Sequence, residues 1–251
     1  MRVICLVPSL TETLIECGVN VVARTRFCIH PHDKVQTIEK VGGTKAVDWQ
    51  KCAALKPDIV VFDREENIKD MAESCPYPWA ATHITSVENV GSELIKLASK
   101  LMSPELEKMG HDWDELANRP NLAFPGWDNI PGQIQSINNA DKNYRRIEYI
   151  IWREPWMAIG SNTFIDSMLR KLGFSDYLPK HSQSYPQLEQ GDMSHNDVFY
   201  LFSSEPFPFV RHHKELVEQG FNGAIVDGEL YSWFGIRSYH GLLKAVKQLA
   251  D

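Results

Sequence analysis

No stretch of this sequence approaches the roughly 18 consecutive apolar residues of a bilayer-spanning helix, so no transmembrane segment is expected. Clustered positive charge is equally scarce. Lys and Arg number 26 against 33 Asp and Glu, a formal net charge of −7, and no basic tract exceeds Tyr144-Arg145-Arg146. A groove that tracks a phosphate backbone needs clustered cations, so nucleic acid is excluded as a partner. The chain contains no CxxC, HExxH, GxSxG, Walker A, GxGxxG or paired-carboxylate signature, which sets aside the enzyme classes those motifs mark. It has no internal repeat and no low-complexity segment. No leader peptide is expected either: the first apolar run is short, and Pro8 and Glu12 stand where a cleavage region would be. As written the chain is expected to be cytoplasmic; had a leader been removed, it would belong to the periplasm or cell surface. Cysteine is sparse and odd in number. Cys5, Cys17, Cys28, Cys52 and Cys75 all lie in the first third, which fits free thiols better than a disulfide framework.

What is present is the material of a folded core. Of 251 residues, 43% are hydrophobic and 24% charged, which excludes wholesale disorder. Residues 3–7 form an apolar run closed by Pro8, which predicts a buried strand. Ser9 is placed to cap a helix over residues 11–17, with Glu12 completing a capping box and Gly18 ending it. Residues 19–23, 59–62 and 79–82 predict three more strands. Asp48 is expected to cap a helix reaching Leu55, and residues 67–75 predict another. Apolar strands alternating with short helices indicate a parallel sheet covered on both faces. From residue 86 to 101, Val90, Leu94, Leu97, Ala98 and Leu101 recur at helical spacing. Ser103-Pro104 then supplies a cap and a first-position proline for a second helix toward Ala117. Beyond that helix, Pro120, Pro125 and Pro131 interrupt any regular element.

The pattern restarts with a strand over 147–152 and a helix capped by Thr163 and ended by Gly173. A polar loop over 179–194 leads to a strand at 198–202, a helix at 211–219, a strand at 224–226 and a final helix at 238–249. The expected fold is α/β, with two Rossmann-like lobes of parallel sheet joined by a mainly helical bridge and a ligand cleft between the lobes. The divisions are 1–102 for the N-terminal lobe, 103–140 for the helical bridge and connecting loop, and 141–251 for the C-terminal lobe.

In such sheets ligands bind outside the carboxyl ends of the strands. The loops expected there carry Ser9; Arg24, Arg26, Phe27, Cys28 and His30; Glu65, Glu66 and Asn67; Trp152 and Trp156; Glu205; and Tyr231, Trp233 and Arg237. The aromatic groups suit a flat, amphipathic ligand, although a tryptophan beside a proline also serves as a lid over a core. Cys28 and His30, two apart in an extended segment, would face one side and offer a thiolate and an imidazole to one metal; hydrogen bonding or packing is the alternative. Glu65-Glu66 fits helix-dipole complementarity or an ion pair with Arg24 and Arg26 as well as ligand contact. Glu12 and Glu205, one in each half, are candidate acidic knobs for a partner's arginines.

Several stretches carry a family likeness: 2–12 (Arg-Val-Ile-Cys-Leu-Val-Pro-Ser-Leu-Thr-Glu), Val41-Gly42-Gly43-Thr44-Lys45, Leu55-Lys56-Pro57-Asp58-Ile59-Val60, and Ile159-Gly160-Ser161-Asn162-Thr163-Phe164-Ile165. In their order and spacing the chain resembles the helical-backbone (class III) substrate-binding proteins of ABC importers, which bind vitamin B12, iron–siderophores and haem. Within that group it is most similar to the vitamin B12 branch, and Thr25-Arg26-Phe27-Cys28 resembles a variant often encoded without an obvious leader. The resemblance implies two α/β lobes bridged by one long helix, a ligand held between them, and a glutamate on each lobe that docks to permease arginines, with Glu12 and Glu205 as the candidates. The three prolines depart from that pattern and predict that the helix is shorter or is followed by an ordered loop. The resulting expectation is a monomeric, non-catalytic protein that holds a corrinoid (cobalamin-like) or other metal chelate, requires no other cofactor and has an ABC permease as partner. Two alternatives stand beside it: a cytosolic corrinoid-handling factor or thiol/His enzyme using Cys28 and His30, and a direct transition-metal binder.

Overall fold

The structure is a computed structural model that describes residues 1–138, 143–189, 191, 193 and 197–248. Contacts divide the chain into two compact units. The first holds Met1–Arg119 and Trp233–Tyr239; the second holds the described residues of Pro120–Ser232 and of the chain from His240 onward.

In the first unit the chain runs through β1 (Val3–Cys5), α1 (Pro8–Glu16), β2 (Val21–Arg24), α2 (His32–Val35), β3 (Glu39–Lys40), α3 (Trp49–Ala54), β4 (Ile59–Asp63), α4 (Lys69–Glu73), β5 (Trp79–Thr82), α5 (Val87–Leu101) and α6 (Pro104–Ala117). The strands are all parallel, in the order β3-β2-β1-β4-β5. The chain winds outward from β1 to β3, then returns to lay β4 on the other side of β1. That reversal creates a switch point at the carboxyl ends of β1 and β4. The apolar runs behave as their composition requires: Val3, Ile4, Cys5, Val60 and Val61 are fully buried.

Local chemistry sets the helix ends. Asp48 caps α3 by accepting the amides of Gln50 and Lys51, and Thr163 accepts that of Asp166. The expected Ser9 cap is not made. Val7 is the cap residue and Pro8 takes the first helical turn, where its missing N–H is not needed, so Ser9 and Glu12 lie inside α1. The expected helix at 67–75 shrinks to α4 because the Asn67 side chain is engaged elsewhere. In place of the single long helix that the family likeness implies, α5 ends at Met102 in a left-handed conformation (φ 52°), and Ser103 and Pro104 start α6. The two helices approach closely at glycines: a Cβ on Gly91 would lie 2.5 Å from Gly110 O. Among the described residues no helix comes after α6 until Phe164, as the prolines predict. The helix α6, read from sequence as part of the bridge, belongs to the first unit.

The second unit contains β6 (Gln133–Ile137), β7 (Arg146–Trp152), β8 (Trp156–Ala158), α7 (Phe164–Lys171), β9 (Gln187–Leu188), β10 (Val198–Ser203), α8 (His213–Glu218), β11 (Gly223–Val226) and α9 (Gly228–Ser232). The last helix, α10 (Ile236–Gln248), begins in the segment assigned to the first unit. The described strands lie in the order β6-β11-β10-β7-β8-β9. Only β7, β10 and β11 are parallel; β6, β8 and β9 join antiparallel. The second sheet is therefore mixed rather than parallel as expected. The added strands are two or three residues long, or polar and exposed in the case of β6, so they leave no periodicity to read. Its core gathers Ile150, Tyr200, Phe202, Phe209, Leu216, Phe221 and Ile225. Residues 190, 192 and 194 of the expected loop, the boundary at 140 and 141, and the helix end at Leu249 lie outside the described residues. Among the described residues no helix is long and apolar enough to cross a membrane.

The glycine contact between α5 and α6 can be checked directly. Gly91→Val should lower stability by about 1–3 kcal/mol through overpacking, seen as a lower urea midpoint at unchanged m value.

Candidate ligand-binding site

At the switch point one side chain joins three loops. Asn67, buried just after β4, accepts the Asp63 amide at 3.0 Å through Oδ1 and donates through Nδ2 to Leu6 O at 3.2 Å and Thr44 O at 2.9 Å. Expected as a ligand contact, Asn67 instead ties the ends of β1 and β4 to the loop after β3. Asp63 beside it is fully buried; it accepts the Thr82 hydroxyl at 2.6 Å and the amides of Glu65 and Ile84. Burial pushes its carboxyl up against the pull of those donors. Glu65 is exposed and meets His83 at 3.1 Å. Glu66 is half-buried, and burial pushes its carboxyl up while nearby Lys45 and the Thr44 hydroxyl pull it down.

The loop after β3 is a tight hairpin, closed by Gly43 N to Ala46 O and Asp48 N to Val41 O, both 2.7 Å. Gly42 sits at φ 147°, and a Cβ there would lie 2.3 Å from Ala46 O, so the turn requires glycine. Arg26 N donates to Gly42 O at 2.8 Å, which sets the segment after β2 against this hairpin. Gly43 lies close against Phe27: an added Cβ would be 3.3 Å from Phe27 Cε2. Phe27 is 47% exposed, and the Arg26 guanidinium carbon stands 4.8 Å from its ring centre. Together Arg26, Phe27 and residues 42–48 line an open groove of about 510 Å³. Two expected site residues are thus brought together. Their partners Thr44, Lys45 and Asp48 were missed as site residues, although the paired glycines in 41–43 marked a turn.

Arg24 and Cys28 prop this surface from inside. Arg24 is 4% exposed and spends its guanidinium on the carbonyls of Val35, Thr25 and Cys28 at 2.9–3.1 Å. Cys28 is fully buried; its Sγ accepts from Thr11 Oγ1 at 3.0 Å and meets Thr25 Oγ1 at 3.2 Å. Burial pushes the thiol up, against the thiolate that a nucleophile or metal ligand requires. A turn closed by Cys28 N donating to Thr25 O ends at Cys28, and beyond it Cys28 is fully buried whereas His30 is half-buried. Among the described residues no group of three or more His, Cys, Asp and Glu is arranged to hold a metal ion.

His30 meets the edge of Trp233, with ring centres 5.4 Å apart. Trp233 and Arg237, expected on the second lobe, belong to the first unit. Their segment is held by Trp113 Nε1 donating to Gly235 O and by Ile236 N donating to Thr13 Oγ1, both 3.0 Å. Arg237 grips Glu12 through two bonds of 2.8 and 2.6 Å, and its guanidinium carbon lies 5.5 Å from the Trp233 ring centre. Glu12 is only 9% exposed. It is not a projecting knob, and a partner's arginine would have to displace Arg237. Ser9 is likewise buried, inside α1.

In the second unit, residues 152–156 turn the chain between antiparallel β7 and β8 instead of leading to a helix. Trp156 stacks on Phe209 with planes 5° apart and packs on the core; Tyr231 is fully buried and donates to Pro131 O at 2.7 Å. Both therefore serve packing. Trp152 stays 40% exposed, its ring 5.6 Å from Phe207. Glu205 is half-buried and accepts from Ser232 Oγ at 3.3 Å. Arg153 lies over the Trp156 ring and binds Glu215 through both guanidinium ends.

No protein-family model matches the sequence, and no curated protein is similar to it at the sequence level. Solved structures do share its fold, and that fold is the one found in periplasmic substrate-binding proteins. The periplasmic haem-binding protein BhuT in complex with two haems is 19% identical with a TM-score of 0.70, covering 100% of this chain and 98% of that one. The periplasmic vitamin B12-binding protein BtuF of Vibrio cholerae is 14% identical with a TM-score of 0.65, covering 99% of this chain and 96% of that one. The siderophore-binding protein FhuD from Vibrio cholerae, bound to Fe3+-Desferal, is 17% identical with a TM-score of 0.62, covering 99% and 97%. At these identities the shared property is the fold.

The Arg153–Glu215 pair carries a pH signature. Arg153, with His212, holds the Glu215 carboxyl down to about 2 from an ordinary 4.5. A lowered folded-state value means the ionised form supports the fold, so its contribution is present above pH 4.5 and lost as the pH falls toward 2. Glu215→Gln should therefore be less stable than wild type in denaturation at neutral pH, and the two should converge in acid.

Proposed function

We propose that this chain is a non-catalytic binding protein for a bulky metal chelate, a corrinoid being the form read from its sequence. The observation that carries this is the open groove where Arg26 and the exposed face of Phe27 meet the hairpin of residues 42–48. It lies at the strand ends where α/β sheets bind ligands. The fold around it is shared along nearly the whole chain with binding proteins named for vitamin B12, haem and an iron–siderophore. The working energetics are aromatic burial plus a few charge-assisted hydrogen bonds, supplied by a surface that buried side chains hold in place. An ABC permease is the proposed partner, and the half-buried Glu205 is the candidate docking carboxylate.

A second reading has its own support. All five cysteines are free thiols, which favours a reducing compartment. There the same groove would serve a cytosolic chelate-handling factor, and cell fractionation separates the two settings.

Titrating the protein with cobalamin, hemin and ferrioxamine, followed by visible absorbance and calorimetry, tests the binding reading. At least one is expected to bind with micromolar or tighter affinity and to weaken by about tenfold or more in Phe27→Ala, a loss of about 1.4 kcal/mol. Trp152→Ala asks whether the exposed ring of the second unit contributes. Failure of all three chelates to bind sinks the reading.

A further inference from the structure

We propose that the groove receives a carboxylate on the edge of an otherwise flat, apolar ligand, and that Arg26 selects for that charge. The inference rests on the proposed binding function and narrows its ligand class. Arg26 is exposed, and among the described residues no carboxylate pairs with its guanidinium. Its contacts are the Phe27 ring at 4.8 Å and, through its backbone, Gly42 O.

The other charges at the groove are already offset. Asp48 Oδ1 accepts the amides of Gln50 and Lys51 at 3.1 and 3.2 Å, where the α3 N-terminus favours a negative charge. Lys45 Nζ donates to Glu66 O and stands near the Glu66 carboxyl. What the groove leaves without a counter-charge is Arg26, beside an aromatic face. A guanidinium fork matches a carboxylate in two parallel bonds, while Phe27 takes the apolar body of the same ligand. Because the groove is open to water, the ion pair contributes more to discrimination than to affinity. A macrocycle that presents only amides would meet Arg26 with dipoles; a carboxylate-bearing one would meet it with charge.

The test compares hemin, which carries carboxylates, with its dimethyl ester, both dispersed in the same neutral detergent, on the full chain and on Arg26→Gln and Arg26→Lys. The ester should bind about three- to fivefold more weakly than the acid. Arg26→Gln should abolish that difference and Arg26→Lys should keep part of it. Equal affinity for acid and ester, with Phe27→Ala weakening both, overturns the charge selection and leaves the binding reading standing. If neither chelate binds, the binding reading is the one in trouble, and a metal-free pair decides this inference. A shift of the Arg26 Nε–H resonance by naphthoate but not by naphthamide supports it, and no shift with naphthoate overturns it.

Discussion

The arrangement of the first unit's strand ends depends on the side-chain amide of Asn67. Its three hydrogen bonds reach the end of β1, the end of β4 and the hairpin after β3. Removing one partner of a buried amide leaves an unsatisfied group at a cost of about 1–3 kcal/mol, so none of the three loops shifts alone. The hairpin is fixed in turn by Gly42 and Gly43, and it presents the wall against which Phe27 lies. Sheet topology supplies the location, the amide supplies the register between loops, and the glycines supply the shape.

The side chains around the groove divide the labour between them. The residues that hold the groove are polar and buried, whereas Arg26 and Phe27, which face solvent, have few bonds of their own. Arg24 places a full charge inside the unit, acceptable because three carbonyls receive it. Cys28, the next residue in the chain after that exposed pair, is fully buried, its sulfur held between two threonine hydroxyls. Rigid support beneath a lightly bonded surface is what an association without bond chemistry needs, since little ordering remains when a ligand arrives.

Much of the fold was legible because its signals are local. Apolar runs, the Asp48, Thr163 and Ser103 caps, and the prolines after α6 each act within a few residues of where they stand. Strands as short as β8 and β9 have no such signal, since antiparallel partners make them and pattern does not. For the site, residue type alone could not separate Arg24 from Arg26, or Trp152 from Trp156. The members of each pair differ in burial, which depends on strand pairing and on the turn at residues 25–28. The assignment of Trp233 and Arg237 to the second half followed chain order, which contacts at Trp113, Thr13 and Glu12 override.

The return of Trp233–Tyr239 to the first unit has a consequence for biosynthesis. During vectorial synthesis the N-terminal unit emerges early, yet the partner of Glu12 and the acceptor for Trp113 Nε1 emerge only near the chain's end. A nascent chain halted after Arg119 therefore exposes an apolar indole and a carboxylate without their final partners. N-terminal domains ordinarily complete themselves first on the ribosome; here completion waits for the second unit to be translated, and truncated products carry an unfinished first half.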